Sequence, residues 1–147
     1  MWCRLSSISV ELVEQLQMQA PERLRRAAAD AASLAVQQLR LADPRLDAAL
    51  ASLREGKFGD SGERSAVQQL TRELDAIGWE AQKTAEECNS SMQPYYAAFA
   101  RARAAASVKW ALDSNPLNAA LEAVYEAQAA VADLQAIRTV VETALTT

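Results

Sequence analysis

The stretch that decides the fold is residues 60–91, DSGERSAVQQLTRELDAIGWEAQKTAEECNSS. It starts with Asp60-Ser61-Gly62-Glu63, which fits a capping box with Asp in place of Ser or Thr. Apolar or small residues then fall at Val67, Leu70, Leu74, Ile77, Ala81, Ala85 and Cys88. Steps of three and four sustained over about six turns put these residues on one face of a helix. The spacing predicts a single long helix, with Cys88 on its buried side and Asn89-Ser90-Ser91 as its end.

The same period recurs on both sides of this stretch. Each of the four prolines suits the first position of a helix, where its missing N–H costs nothing. Asp43-Pro44 and Asn115-Pro116 add a capping side chain directly before the ring. Helices are therefore predicted from Val10 to Gln19 after Ser9, from Pro21 to Arg40, and from Pro44 to Glu55. Helices over Pro94–Leu112 and Pro116–Val131 follow the long one. A last segment capped by Asp133 is either a seventh helix or a continuation of the sixth. The 94–112 helix carries small residues around most of its circumference and is expected at the centre of the fold. Residues 56–62 hold three of the four glycines and form the main loop, with Phe58 expected to tuck into the core. No segment alternates at period two, so no strand is expected. The chain reads as all-α: one domain over residues 1–147, a bundle of about six or seven helices without a sheet, with residues 1–8 frayed.

Composition limits the chemistry. Of 147 residues, 50% are hydrophobic, roughly a fifth are alanine, and none is histidine. Without imidazole, the Ser/His/Asp and Cys/His nucleophile systems and His-based metal sites are excluded. Fifteen basic and 19 acidic residues give a net charge of −4. The acidic excess concentrates in residues 56–91, and no basic face suited to nucleic acid emerges; Arg23, Arg25 and Arg26 spread over a wide arc beside Glu22 and Asp30. Neither a signal-peptide h-region nor a run long enough to span a bilayer is present. A cytoplasmic protein with reduced Cys3 and Cys88 is the expectation, Cys3 exposed and Cys88 packed.

The runs Leu53–Asp60, Ala98–Ala105, Trp110–Asp113 and Leu121–Ala127 resemble segments of small alanine-rich helical proteins of high-GC actinobacteria, over about a quarter of the chain. That resemblance implies no activity. The helix pair from Asn115 to Leu145 is similar to one tetratricopeptide-type hairpin. Glu122 stands where that motif has glycine, however, and no 34-residue period recurs, so a repeat protein is rejected.

Three groups of residues remain as candidate sites. Glu122 and Glu126 share a helical face, but they fall opposite the apolar stripe and are expected on a solvated surface; no metal or cofactor is expected. Arg103 projects onto the apolar side between Phe99 and Trp110. A guanidinium placed there requires a carboxylate or carbonyl partner, or must snorkel along its stem. Gln128 likewise projects into the stripe of its helix. A structural network around Arg103 is the expected account, and a small anionic-ligand pocket of Tyr96, Arg103 and Tyr125 is the alternative. Trp79 projects away from the buried stripe of the long helix, with Arg72, Asp75, Lys83 and Glu86 around it. A large aromatic within a charged rim is what a protein interface often shows. The expected geometry, however, has Gly78 interrupt the helix and turn Trp79 into the core, or another helix cover it, because buried tryptophan is commoner than exposed tryptophan in a domain with so few aromatics. On these grounds the chain is expected to act without catalysis, by binding another protein, as an immunity- or antitoxin-type protein or an adaptor. Self-association is compatible with the same features. The alternative is a small-ligand sensor or enzyme using the Tyr96/Arg103/Tyr125 region.

Overall fold

The computed structural model describes residues 2–147. Seven α-helices follow a short 3-10 turn at Arg4–Ser7: α1 (Val10–Gln17), α2 (Pro21–Gln38), α3 (Pro44–Arg54), α4 (Gly62–Cys88), α5 (Gln93–Ala111), α6 (Pro116–Val131) and α7 (Leu134–Thr146). Helix accounts for 79% of the chain, and no strand occurs among the described residues. No helix is long and apolar enough to cross a membrane.

The punctuation read from the sequence is the punctuation used. Ser9, Asp43, Asn115 and Asp133 each accept a hydrogen bond from a backbone N–H of the first turn that follows. This satisfies donors that the helix itself leaves free. The helix ends fall one or two residues short of expectation, at Gln17, Gln38, Arg54 and Ala111, and two starts shift by one residue. Ser61, not Asp60, caps α4 by accepting from the Arg64 N–H at 3.2 Å. Pro94 is the second residue of α5, whose first N–H, on Gln93, donates to Ser91 Oγ. Between α6 and α7 the chain breaks at Ala132, which takes a left-handed φ of 56°. The two are separate helices.

Helix α5 is the centre of the bundle, packed against α2, α3, α4 and α6. Its inner side is almost entirely alanine: Ala98, Ala102, Ala104, Ala105, Ala106 and Ala111 are buried together with Ser107 and Val108. Such short side chains let three long helices approach one axis. Leucines, valines and Ile137 from the other helices fill the remaining space, Leu12, Leu16, Leu46, Leu112, Ile137 and Val141 being fully buried. Helix α6 is similarly enclosed, by α2, α5, α7, α1 and the N-terminal turn.

Several expectations are overturned. The N-terminal segment is not frayed: Leu5 is 1% exposed and the 3-10 turn packs on α6, while Met1 lies outside the described residues. One buried leucine and the pairing of Arg4 described below anchor it. Cys3 is half-buried and hydrogen-bonded to Ser6, whereas Cys88 is exposed, because α4 outruns the helices that would cover its last turn. Ile77 is exposed, and Gly78 takes the place against α5. Phe58 lies outside the core, its ring 3.7 Å beneath the Arg25 guanidinium. Arg25 in turn donates to the carbonyls of Ala111, Asp113 and Ser114, so one side chain of α2 joins the 56–62 loop to the α5–α6 loop.

Candidate functional site

The sharpest departure from the sequence reading is on α6. Glu126 is 1% exposed. Because α6 is surrounded, the face opposite its apolar stripe meets α5 and the N-terminal turn instead of solvent. Two guanidinium groups enclose the carboxylate: Arg4 at 2.9 Å and Arg103 at 3.0 Å. Arg4 also pairs with Glu122, and Arg103 reaches across to Asp75 on α4, both carboxylate oxygens lying 3.1 Å from Nη2. The result is a chain of alternating charge, Glu122–Arg4–Glu126–Arg103–Asp75, running from the N-terminal turn through α6 and α5 to α4. Its centre, Glu126, is dry, while Arg4 and Asp75 on either side reach solvent. Burial works against the Arg4 charge, but the hydrogen bond to Glu122 and the nearby Glu126 outweigh it and raise its pKa. Lys109 sits one turn and a half further along α5. Burial pushes its ammonium down, and the neighbouring Arg64 adds to that effect.

Arg103 therefore has the carboxylate partners expected of a structural network. Its Nε and Gln128 Oε1 are the buried side-chain polar atoms that make no hydrogen bond among the described residues. The alternative trio is not assembled around a shared partner. Tyr125 lies under the Arg4 guanidinium, 4.4 Å from its ring centre. Tyr96 is 54% exposed beside Tyr95. Arg103 is committed to Asp75 and Glu126, with Phe99 alongside at 5.6 Å. Glu126, expected on a solvated face, is buried, and Arg4 was missed. A signal for Glu126 was present in the small residues that ring α6, which mark a helix buried on several sides.

The second candidate is exposed. Trp79 is 72% exposed on α4, so Gly78 does not turn it inward. Across the helix pair, Tyr95, Tyr96 and Phe99 project from α5, with Tyr95 5.6 Å from Tyr96 and 6.2 Å from Phe99. A groove of about 260 Å³ separates the two sides, lined by Asp75, Gly78, Trp79, Gln82, Tyr95 and Phe99. The close approach at Gly78, where α4 meets Ala98 and Tyr95, forms its floor. Arg72, Lys83 and Glu86 surround Trp79 on the exposed face and make no ion pair among the described residues; Asp75 is held by Arg103 but its side chain stays 41% exposed.

No family model, curated protein or solved structure matches the chain. The site must therefore be judged on its own geometry. No group of His, Cys, Asp or Glu able to hold a metal ion occurs among the described residues. A larger groove of about 700 Å³ lies under Trp2, between the N-terminal turn and the start of α6, lined by Cys3, Arg4, Leu117, Leu121 and Glu122. The two charged groups in it, Arg4 and Glu122, are already paired with one another.

Proposed function

We propose that this chain is a non-catalytic helical protein that works by binding another polypeptide through the face formed by α4 and α5. A single observation carries the proposal: four aromatic residues, Trp79, Tyr95, Tyr96 and Phe99, share one outer face, and three of them are between 42% and 72% exposed. Burying aromatic rings is worth several kcal/mol to a fold, ~1.5–3 kcal/mol for a side chain of Phe size. A cluster left in water with charges around it has the anatomy of an interface core and rim. The acidic excess of residues 56–91 suits an immunity- or antitoxin-type protein, or an adaptor, in a reducing cytoplasm where the exposed Cys88 remains a thiol.

The test is affinity capture from the native host with the wild-type chain and with a Trp79→Ala/Phe99→Ala variant, followed by mass spectrometry. A polypeptide retained by the wild type and lost by the variant supports the proposal. An identical set captured by both overturns it.

A further inference from the structure

Resting on the interaction surface proposed above, we infer that the polypeptide this face fits is a second copy of the same chain, bound with the two α4 helices antiparallel and Trp79 at the two-fold axis. The inference comes from the order of charges along the face. At 100° per residue, Arg72, Asp75, Lys83 and Glu86 all project within about 60° of Trp79, on a strip about 21 Å long. Read in sequence they are plus, minus, tryptophan, plus, minus.

In an isologous dimer the same patch meets itself, and an antiparallel two-fold through residue 79 brings position 79 + k opposite position 79 − k. Arg72 then faces the partner's Glu86, and Asp75 faces the partner's Lys83. Ala76 faces the partner's Gln82, a small side chain against a longer one, and the two Trp79 rings meet at the centre. A parallel pairing would instead set Arg72 on Arg72 and Lys83 on Lys83, which the charges oppose.

The structure leaves these groups free for such a pairing. Arg72, Lys83 and Glu86 are exposed without an ion-pair partner among the described residues, and Asp75 keeps an open edge beside Arg103. The apolar part of the contact is also in place. Next to each Trp79 lies the groove floored by Gly78 and walled by Tyr95 and Phe99, which receives the partner's indole as the two helices close. The main core cluster includes no residue of α4 after Leu74 and none of α5 before Ala102, and past that point the buried residues are the small Gly78, Ala85 and Ala98. The outer half of this helical pair is thus covered on one side only, and the second copy supplies the missing side.

Sedimentation velocity of the full chain from about 1 to 200 µM, the range in which moderate interfaces dissociate, tests the inference. The wild type should sediment as a dimer at the upper end. Trp79→Ala should weaken dimerisation at least tenfold, since each contact at a two-fold is lost on both sides. Arg72→Glu and Glu86→Arg should each weaken it, by placing like charges opposite, and the doubly swapped chain should regain the wild-type constant. These positions are exposed, so thermal melts taken at about 1 µM or below, where the wild type too is monomeric, should match the wild type and separate assembly from folding.

A chain monomeric at every concentration, a dimer indifferent to the single charge reversals, or a double swap without recovery would each overturn the inference. If the chain is monomeric while Trp79→Ala/Phe99→Ala still loses a captured foreign polypeptide, only the second copy is refuted. If that variant loses nothing, the interaction surface falls as well.

Discussion

Glu126→Gln is the most direct perturbation of the buried charge chain. Glutamine keeps the shape of glutamate, so no cavity opens, and only the charge is lost. The carboxylate is 1% exposed and lies 2.9 and 3.0 Å from two guanidinium groups. Removing one partner from a buried pair costs ~3–5 kcal/mol, because the remaining charge is left desolvated. Both arginines here keep a second carboxylate, Glu122 for Arg4 and Asp75 for Arg103, and the Arg4 side chain is 39% exposed. The lower end of the range applies, about 3 kcal/mol. For a domain of this size each kcal/mol moves the midpoint by ~2–4 °C, so Tm should fall by ~6–12 °C in a thermal melt. An Arg103→Met/Glu126→Leu double variant should lose less than the sum of the two single changes, since removing both charges leaves neither stranded. A Glu126→Gln variant that melts within about 2 °C of the wild type would refute the view that the pair is tightly coupled.

Three further substitutions follow from the geometry. Gly78→Ala should raise stability by ~1 kcal/mol in denaturant titration, because the added methyl would sit 3.6 Å from Ala98 Cβ, an ordinary contact, while helix propensity improves. Ala132→Gly should also stabilise, by ~0.5–1 kcal/mol, since Ala132 holds a left-handed φ of 56° while its N–H caps α6 at Gln128. Lys109→Met should raise Tm at neutral pH, where burial and Arg64 disfavour the ammonium. With the folded pKa below the unfolded one, the unfolded chain binds more protons between the two values. Wild-type stability therefore gains with rising pH, and the gap to Lys109→Met should narrow in melts taken as the pH is raised toward the ordinary lysine value of 10.5.

What the sequence made legible was local. Helix starts and ends were readable because each depends on one or two neighbouring residues: Asp43 before Pro44, Asn115 before Pro116, Asn89 in the left-handed conformation after Cys88. Which side of a helix faces inward depends on how many neighbours it has, and this was misjudged where the number exceeded one. Assigning a single apolar stripe to α6 sent Glu126 to solvent, although α5, α2 and the N-terminal turn surround that helix. The same assumption placed Ile77 inside on α4. There α5 approaches over Gly78 instead, where Ala98 and Tyr95 lie close enough that a methyl group would fit but the branched side chain of Ile77 would not. The N-terminal anchor was invisible for a related reason. Arg4 holds the turn through Glu122 and Glu126, more than a hundred residues away.

The distribution of aromatic residues bears most on what the fold is for. The chain has three tryptophans, three tyrosines and two phenylalanines, and none of them is among the fully buried residues. Half are bound to cations at the edges of the bundle: Phe58 under Arg25, Tyr125 under Arg4, Trp110 beside Lys109, Phe99 near Arg103. The core is built from alanine, leucine and valine, whose small volumes set the close helix spacing around α5. A large ring in that interior would force the helices apart, a change that close-packed cores resist. The aromatics are therefore kept to the margins of the core, where Trp110 and Tyr125 pack half-buried, or to the surface. On α4 and α5 they gather where the helix pair continues past the core, so burial of these rings in the monomer contributes little to its stability. What such rings can stabilise is a contact that buries them. The outer half of α4 needs little further support, because its Glu, Ala, Gln and Lys residues are strong helix formers and the helix only extends a turn already rooted at Leu74. Under the proposed interaction, folding and recognition would draw on largely different residues of one helix pair, Asp75 being shared with the charge network, and the exposed rings can change without unfolding the bundle that presents them.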